Sequence, residues 1–78
     1  MLTDREPTFG ERAVGLDFNP SGSGTVHEIK VHYARIIDLL NGLRDDNDVS
    51  EAKRMYSVAI TELQTSQMWA VKACTWRF

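Results

Sequence analysis

Residues 18 to 30, FNPSGSGTVHEIK, carry the side chains best suited to chemistry. Phe18 offers a flat apolar ring, and Asn19 before Pro20 is biased toward a turn. Ser21, Gly22, Ser23 and Gly24 supply small hydroxyls and a backbone free to enter tight or left-handed conformations. Thr25 and Glu28 match the S/T-x-x-E pattern of a capping box, which predicts a helix start at this point. Lys30 adds a cation in the second turn. A ring, hydroxyls and amides at the positive end of a helix suit a small anionic ligand with flat rings. The same residues also make an ordinary loop with a well-capped helix.

Magnitudes bear on that choice. Stacking of one base on Phe18 contributes about 1–3 kcal/mol. Each charge-assisted bond from Lys30 or an amide adds about 1.5–3 kcal/mol. Nanomolar binding needs about 12 kcal/mol. One such loop reaches about half of that before ordering costs, so a tight site requires residues from more than one protomer. PSGSGT is not a P-loop, because no Gly-Lys-Ser/Thr follows it.

Other chemistries fit less well. His27 and His32 are five residues apart, so they do not share a helix face as zinc ligands would. No metal site and no cofactor is expected. No Ser/His/Asp or Cys/His arrangement has workable spacing, Glu28 has a capping duty, and Asp38 and Glu62 read as solvated helix charges. Catalysis is not expected. The RDDNDV turn has three aspartates, but an EF-hand counted from Asp45 would place Ser50 and Tyr56 where Gly and Glu are needed.

The elements that position these residues follow from length and periodicity. Seventy-eight residues make one domain with a marginal core, and the net charge of −2 disfavours a DNA or RNA polymer as partner. The chain has no transmembrane run and no signal-peptide pattern at its start, and the lone Cys74 suits a reduced, cytoplasmic setting. Residues 1–8 read as a loose arm, and residues 9–24 as an N-terminal docking segment with the ligand loop. A first long helix is expected over 25–44, with Val26, Ile29, Tyr33, Ile36, Leu40 and Leu43 at alternating spacings of three and four. Val31 falls on its far side and Lys30 borders its seam. A second is expected over 50–76, with a stripe of Tyr56, Ala59, Leu63, Ser66, Ala70 and Ala73. It should exceed the first by roughly 10 Å. The fold class is all-α: an antiparallel helical hairpin with a short N-terminal helix or arm. The apolar end MWAVKACTW asks for cover on every side, which predicts a homo-oligomer. Without a ligand, the chain reads instead as a structural or protein-interaction hairpin.

GERAVGLDFNPSGSGTVHEIK with YARIIDLL, together with MWAVKACTW, resembles the phage anti-CBASS cyclic-oligonucleotide sponges. That family shares its hairpin domain with the Thoeris-blocking signal sponges. The resemblance covers roughly residues 10 to 76. It implies a hexamer without catalytic activity, working in the host cell cytoplasm. It implies binding of cyclic dinucleotides such as cyclic GMP–AMP between paired protomers, and of cyclic trinucleotides where three protomers meet. Messengers held in this way are denied to the host's antiphage effector. A cyclic ADP-ribose-type signal is the alternative ligand. The matching positions are Phe18, Asn19 and Lys30, with Phe replacing a common Tyr. Loop chemistry adds Pro20, Ser21, Gly22 and Thr25. His32 and Lys72 are the candidates for a second site.

Overall fold

The computed structural model describes residues 5–78. They form three helices, α1 (Phe9–Val14), α2 (Gly24–Asp45) and α3 (Ser50–Cys74). α2 and α3 pair as an antiparallel hairpin joined by the short acidic turn. Asn47 Oδ1 closes that turn by accepting from the Val49 amide at 2.8 Å. α1 lies mainly against α2 and also touches α3, where the Gln64 carboxamide donates to the Ala13 carbonyl at 3.3 Å.

Local chemistry explains each boundary. Thr8 caps α1, its hydroxyl accepting from the Glu11 amide while the Glu11 carboxylate accepts from the Thr8 amide. The capping box expected at Thr25 and Glu28 therefore occurs at Thr8 and Glu11 instead. Gly15, at φ 62°, ends α1. The amides of Gly15 and Leu16 reach back to the carbonyls of Arg12 and Glu11, a Schellman closure that requires a left-handed residue. α2 is capped by Ser23, whose hydroxyl accepts from the Val26 amide at 3.3 Å. Thr25 lies inside the first turn, and Glu28 has no capping role. α3 has 25 residues and α2 has 22. Their lengths thus differ by about 4.5 Å rather than 10 Å.

The N-terminal segment is tied down over its described part. Arg5 forks onto Glu11 with two bonds of 2.9 Å, and Arg12 meets Glu6 at 3.1 Å. Residues 5–8 are therefore not a loose arm, while residues 1–4 of the expected arm lie outside the described residues. Asp38, expected to be solvated, holds α1 to α2. It accepts from the Thr8 hydroxyl and the Gly10 amide, both at 2.7 Å.

This docking rotates the core away from the expected seam. The buried line on α2 is Val26, Lys30, Ala34 and Ile37, and Ile60 and Gln67 are buried on α3. Val14, Leu16, Ala34, Ile37 and Ile60 pack as one cluster, with Val31 against it rather than on a far side. Ile36 and Leu43 of the expected stripe are exposed, and so is Leu39 beside them. On α3, Ser66 and Ala73 are exposed, and Tyr56, Ala59, Leu63 and Ala70 only half-buried. Val26 of the expected stripe is buried, and Tyr33, Leu40 and Leu63 pack against the cluster, so the stripes are displaced from the core in part only. The reason is that α2 serves two partners, and a single-seam reading allows for one. Tyr33 and Ser66 hydroxyls still join the stripes across the hairpin at 2.6 Å.

The result is a slab, 45 × 34 × 12 Å. One broad face has an apolar groove of about 330 Å³ lined by Leu40, Ala52, Met55, Tyr56 and Ala59. At the far end of α3, Trp69 and Trp76 stay exposed, so the described part of the N-terminal segment leaves them uncovered.

A Cβ on Gly10 would stand 2.1 Å from the Ala34 carbonyl oxygen and 2.9 Å from its carbon, both rigid backbone. Gly10→Ala should destabilise the protomer by about 1–3 kcal/mol in urea unfolding. Gly42→Ala, whose Cβ meets nothing within 4 Å, should stabilise it by up to about 1 kcal/mol. The Arg5 guanidinium, with help from the Thr8 amide, holds the Glu11 carboxyl down to about 2, against 4.5 ordinarily. A carboxyl lowered on folding contributes fully above its unfolded value and loses that contribution as pH falls through the folded one. The Thr8 and Glu11 amide resonances should therefore hold their positions above pH 4.5 and move as pH falls toward 2, and Glu11→Gln should abolish that movement.

Candidate functional site

The loop between α1 and α2 is built from its own side chains. The Asn19 carboxamide donates to the Ser23 carbonyl at 2.9 Å and accepts from the Ser21 hydroxyl at 2.7 Å. Ser21 Oγ in turn accepts from the Ser23 amide at 3.2 Å. Gly22 closes the turn with φ 66°, its amide donating to the Asn19 carbonyl at 3.0 Å. This wiring holds Ser23 extended at the head of α2. Asn19 and Ser21 therefore work as framework, each bonded within the loop.

Lys30 is the centre of the arrangement. Its side chain is 5% exposed. The ammonium donates to the Gly15 carbonyl at 3.0 Å and to the Phe18 carbonyl. It also stands 5.6 Å from the centre of the Phe18 ring. Burial pushes its pKa below the usual lysine value. Lys30 was expected at the edge of a seam as a cation facing a ligand. It lies instead in the buried line of α2, where it holds the first half of the loop.

These contacts leave a defined set of groups at the surface. Phe18 is 72% exposed, its ring presented to solvent above the lysine that fixes its backbone. Pro20 and Gly22 are exposed beside it, as is Thr25 in the first turn of α2. The amides of Gly24 and Thr25 open α2 and have no acceptor among the described residues. A ring, two helix-start amides and a nearby buried cation can stack a base and receive an anionic oxygen. Ser23, the true cap, escaped sequence reasoning because the motif at Thr25 is two residues downstream of it. The spacing from Ser23 to Val26 carries no second signal, since Val26 has no side-chain acceptor.

The proposed second pair is not assembled within one protomer. His32 is exposed on α2, and no hydrogen bond or common cavity joins it to Lys72. The Lys72 ammonium lies over Trp69 at 5.3 Å and over Trp76 at 5.7 Å. Among the described residues there is no cluster of His, Cys, Asp or Glu that could hold a metal ion. No helix among them is long and apolar enough to cross a membrane.

Replacing Lys30 by Met would leave the Phe18 carbonyl without a donor, while the Gly15 carbonyl keeps the Phe18 amide at 2.9 Å. An unsatisfied buried acceptor costs about 1–3 kcal/mol. Lys30→Met should lower unfolding stability by that amount and speed hydrogen exchange of the loop amides at Phe18 and Gly22. Unchanged exchange at both positions would show that the loop stands without Lys30.

Neither a curated protein nor a solved structure matches the chain. A family model, the hairpin domain of Acb2/Tad1, matches residues 11–75, more than four-fifths of the sequence. The match spans the Schellman turn, the Lys30-anchored loop and both long helices. The chain therefore belongs to the Acb2/Tad1 hairpin-domain family, the anti-CBASS and anti-Thoeris signal sponges.

Proposed function

We propose that this protein sequesters cyclic dinucleotide and cyclic trinucleotide messengers in the host cytoplasm, and so blocks CBASS antiphage signalling. Family membership implies the coarser part, which is sponge-type capture of a signalling molecule without catalysis. The observation that carries the finer part is Phe18, a mostly exposed aromatic ring fixed from beneath by Lys30, in the loop that leads into the free amides of α2. A purine base fits the ring, and a bridging phosphate fits the amides. Lys30 contributes by holding the ring in place and by adding positive potential.

The loop is half of a pocket. One stacked base and a few anion bonds reach about 6 kcal/mol, against about 12 for nanomolar affinity. A two-fold partner supplying a second Phe18 matches a ligand with two bases. The uncovered apolar face, with Ile36, Leu39, Leu43 and Met55 exposed, supports assembly, and a hexamer of such slabs is our proposed state. His32 and Lys72 would then meet only across protomers, in a pocket for trinucleotides. The family name also covers Thoeris-blocking proteins, which favours cyclic ADP-ribose-type signals as the second reading.

Calorimetry with cyclic GMP–AMP, a cyclic trinucleotide and a cyclic ADP-ribose, each at tens of micromolar, separates these readings. Cyclic GMP–AMP should bind, and Phe18→Ala should weaken it by about 1–3 kcal/mol, roughly 5- to 150-fold. Light scattering should show the same oligomer for parent and variant. Binding of the cyclic ADP-ribose alone would move the protein to the second reading. A monomer or dimer that binds none of the three would return it to a protein-interaction hairpin.

A further inference from the structure

A second groove lies on the other edge of α2, between that helix and the N-terminal segment, with a volume of about 390 Å³. His27, Val31, Ala34, Arg35 and Asp38 form its α2 wall, and Leu16 completes the floor. Arg5 and Glu11 stand opposite. None of the exposed loop residues Phe18, Pro20, Gly22 or Thr25 lines it.

The charges in this groove are unevenly satisfied. Glu11 is held by the Arg5 fork and the Thr8 amide. Asp38 is three residues from Arg35, and such pairs normally meet on a helix surface. Its two oxygens are turned instead to Thr8 and Gly10 of the α1 segment. Arg35 consequently has no salt bridge and no hydrogen-bond acceptor among the described residues. The imidazole of His27, two turns before it, has no hydrogen-bond partner there either, its backbone amide alone being engaged, by the Ser23 carbonyl. The same groove thus has an unmatched guanidinium, an imidazole donor and a floor of Leu16, Val31 and Ala34.

We infer that this groove is a binding site for a nucleoside monophosphate, separate from the loop. Its phosphate sits on Arg35 with His27 as a second donor, and its base lies on the apolar floor. Sugar hydroxyls face the lone pairs that Glu11 and Asp38 retain. A volume of this order is in the range of small-molecule sites of about 300–1,000 Å³, and far exceeds what a free phosphate occupies. The inference does not depend on the messenger reading, because it uses no loop residue.

The test is titration of the full chain with 5′-AMP, adenosine and inorganic phosphate, followed by amide and imidazole NMR. AMP should shift His27, Val31 and Arg35 with a dissociation constant of about 0.1–1 mM, in the parent and equally in Phe18→Ala. Arg35→Gln, at an exposed position, should weaken AMP about tenfold or more with its helix content retained, and His27→Gln should weaken it to a lesser degree. Phe18→Ala should leave the shifts of His27, Val31 and Arg35 unchanged, which separates this groove from the loop. Absence of shifts at about 10 mM AMP would overturn the inference. So would full affinity in Arg35→Gln, adenosine or phosphate binding as well as AMP, or shifts confined to the loop.

Discussion

An ammonium group enclosed by protein has to find acceptors or lose its charge. Lys30 meets that demand with two backbone carbonyls of the segment that precedes α2. The consequence reaches beyond the loop. Lys30, Ala34 and Asp38 are spaced four residues apart, so they lie along one side of α2. Each receives one part of the N-terminal segment as it runs antiparallel to the helix. Lys30 takes Gly15 and Phe18, Ala34 takes the close approach of Gly10, and Asp38 takes Thr8 and Gly10. Two of these three attachments are polar, which suits a six-residue helix with little apolar area of its own.

Anchoring one side of α2 in this way decides what the other side does. Several of the residues that would pair the hairpin as an isolated coiled coil stay toward the uncovered face. Their half-burial keeps α2 and α3 together through Tyr33, Leu40, Tyr56 and Leu63, while Ile36, Leu39 and Met55 remain in water. Monomeric proteins seldom display so broad an apolar surface. The polar attachment of α1 and the apolar exposure opposite it are thus two results of one geometry.

Much of this was legible from residue types. Heptad spacing located both long helices, and Asn-Pro with the Ser/Gly run located the loop between them. The pattern also marked Phe18, which is exposed, and Lys30, which is central. Three features were not legible. Lys30 looked like a surface cation because lysine is rarely buried, and only tertiary structure brings the Gly15 and Phe18 carbonyls within reach. Asp38 looked solvated because its partners lie 28 and 30 residues away. The helix start was placed at Thr25 because a capping box is a local motif that cannot register competition from Ser23, which the Asn19 carboxamide holds in position. In each case the deciding bond links residues that the local pattern treats as independent.

A slab 12 Å thick also shapes how such a chain can change over evolutionary time. Val26 and Ile37 have the most completely enclosed large side chains, so few positions are policed by packing inside the protomer. Surface substitutions usually alter stability by less than about 0.5 kcal/mol. Drift at Ile36, Leu39, Met55 or Val58 therefore leaves the fold intact while altering whatever meets that face. Architecture and association can diverge at different speeds, because the residues that govern them occupy opposite sides of one helix layer.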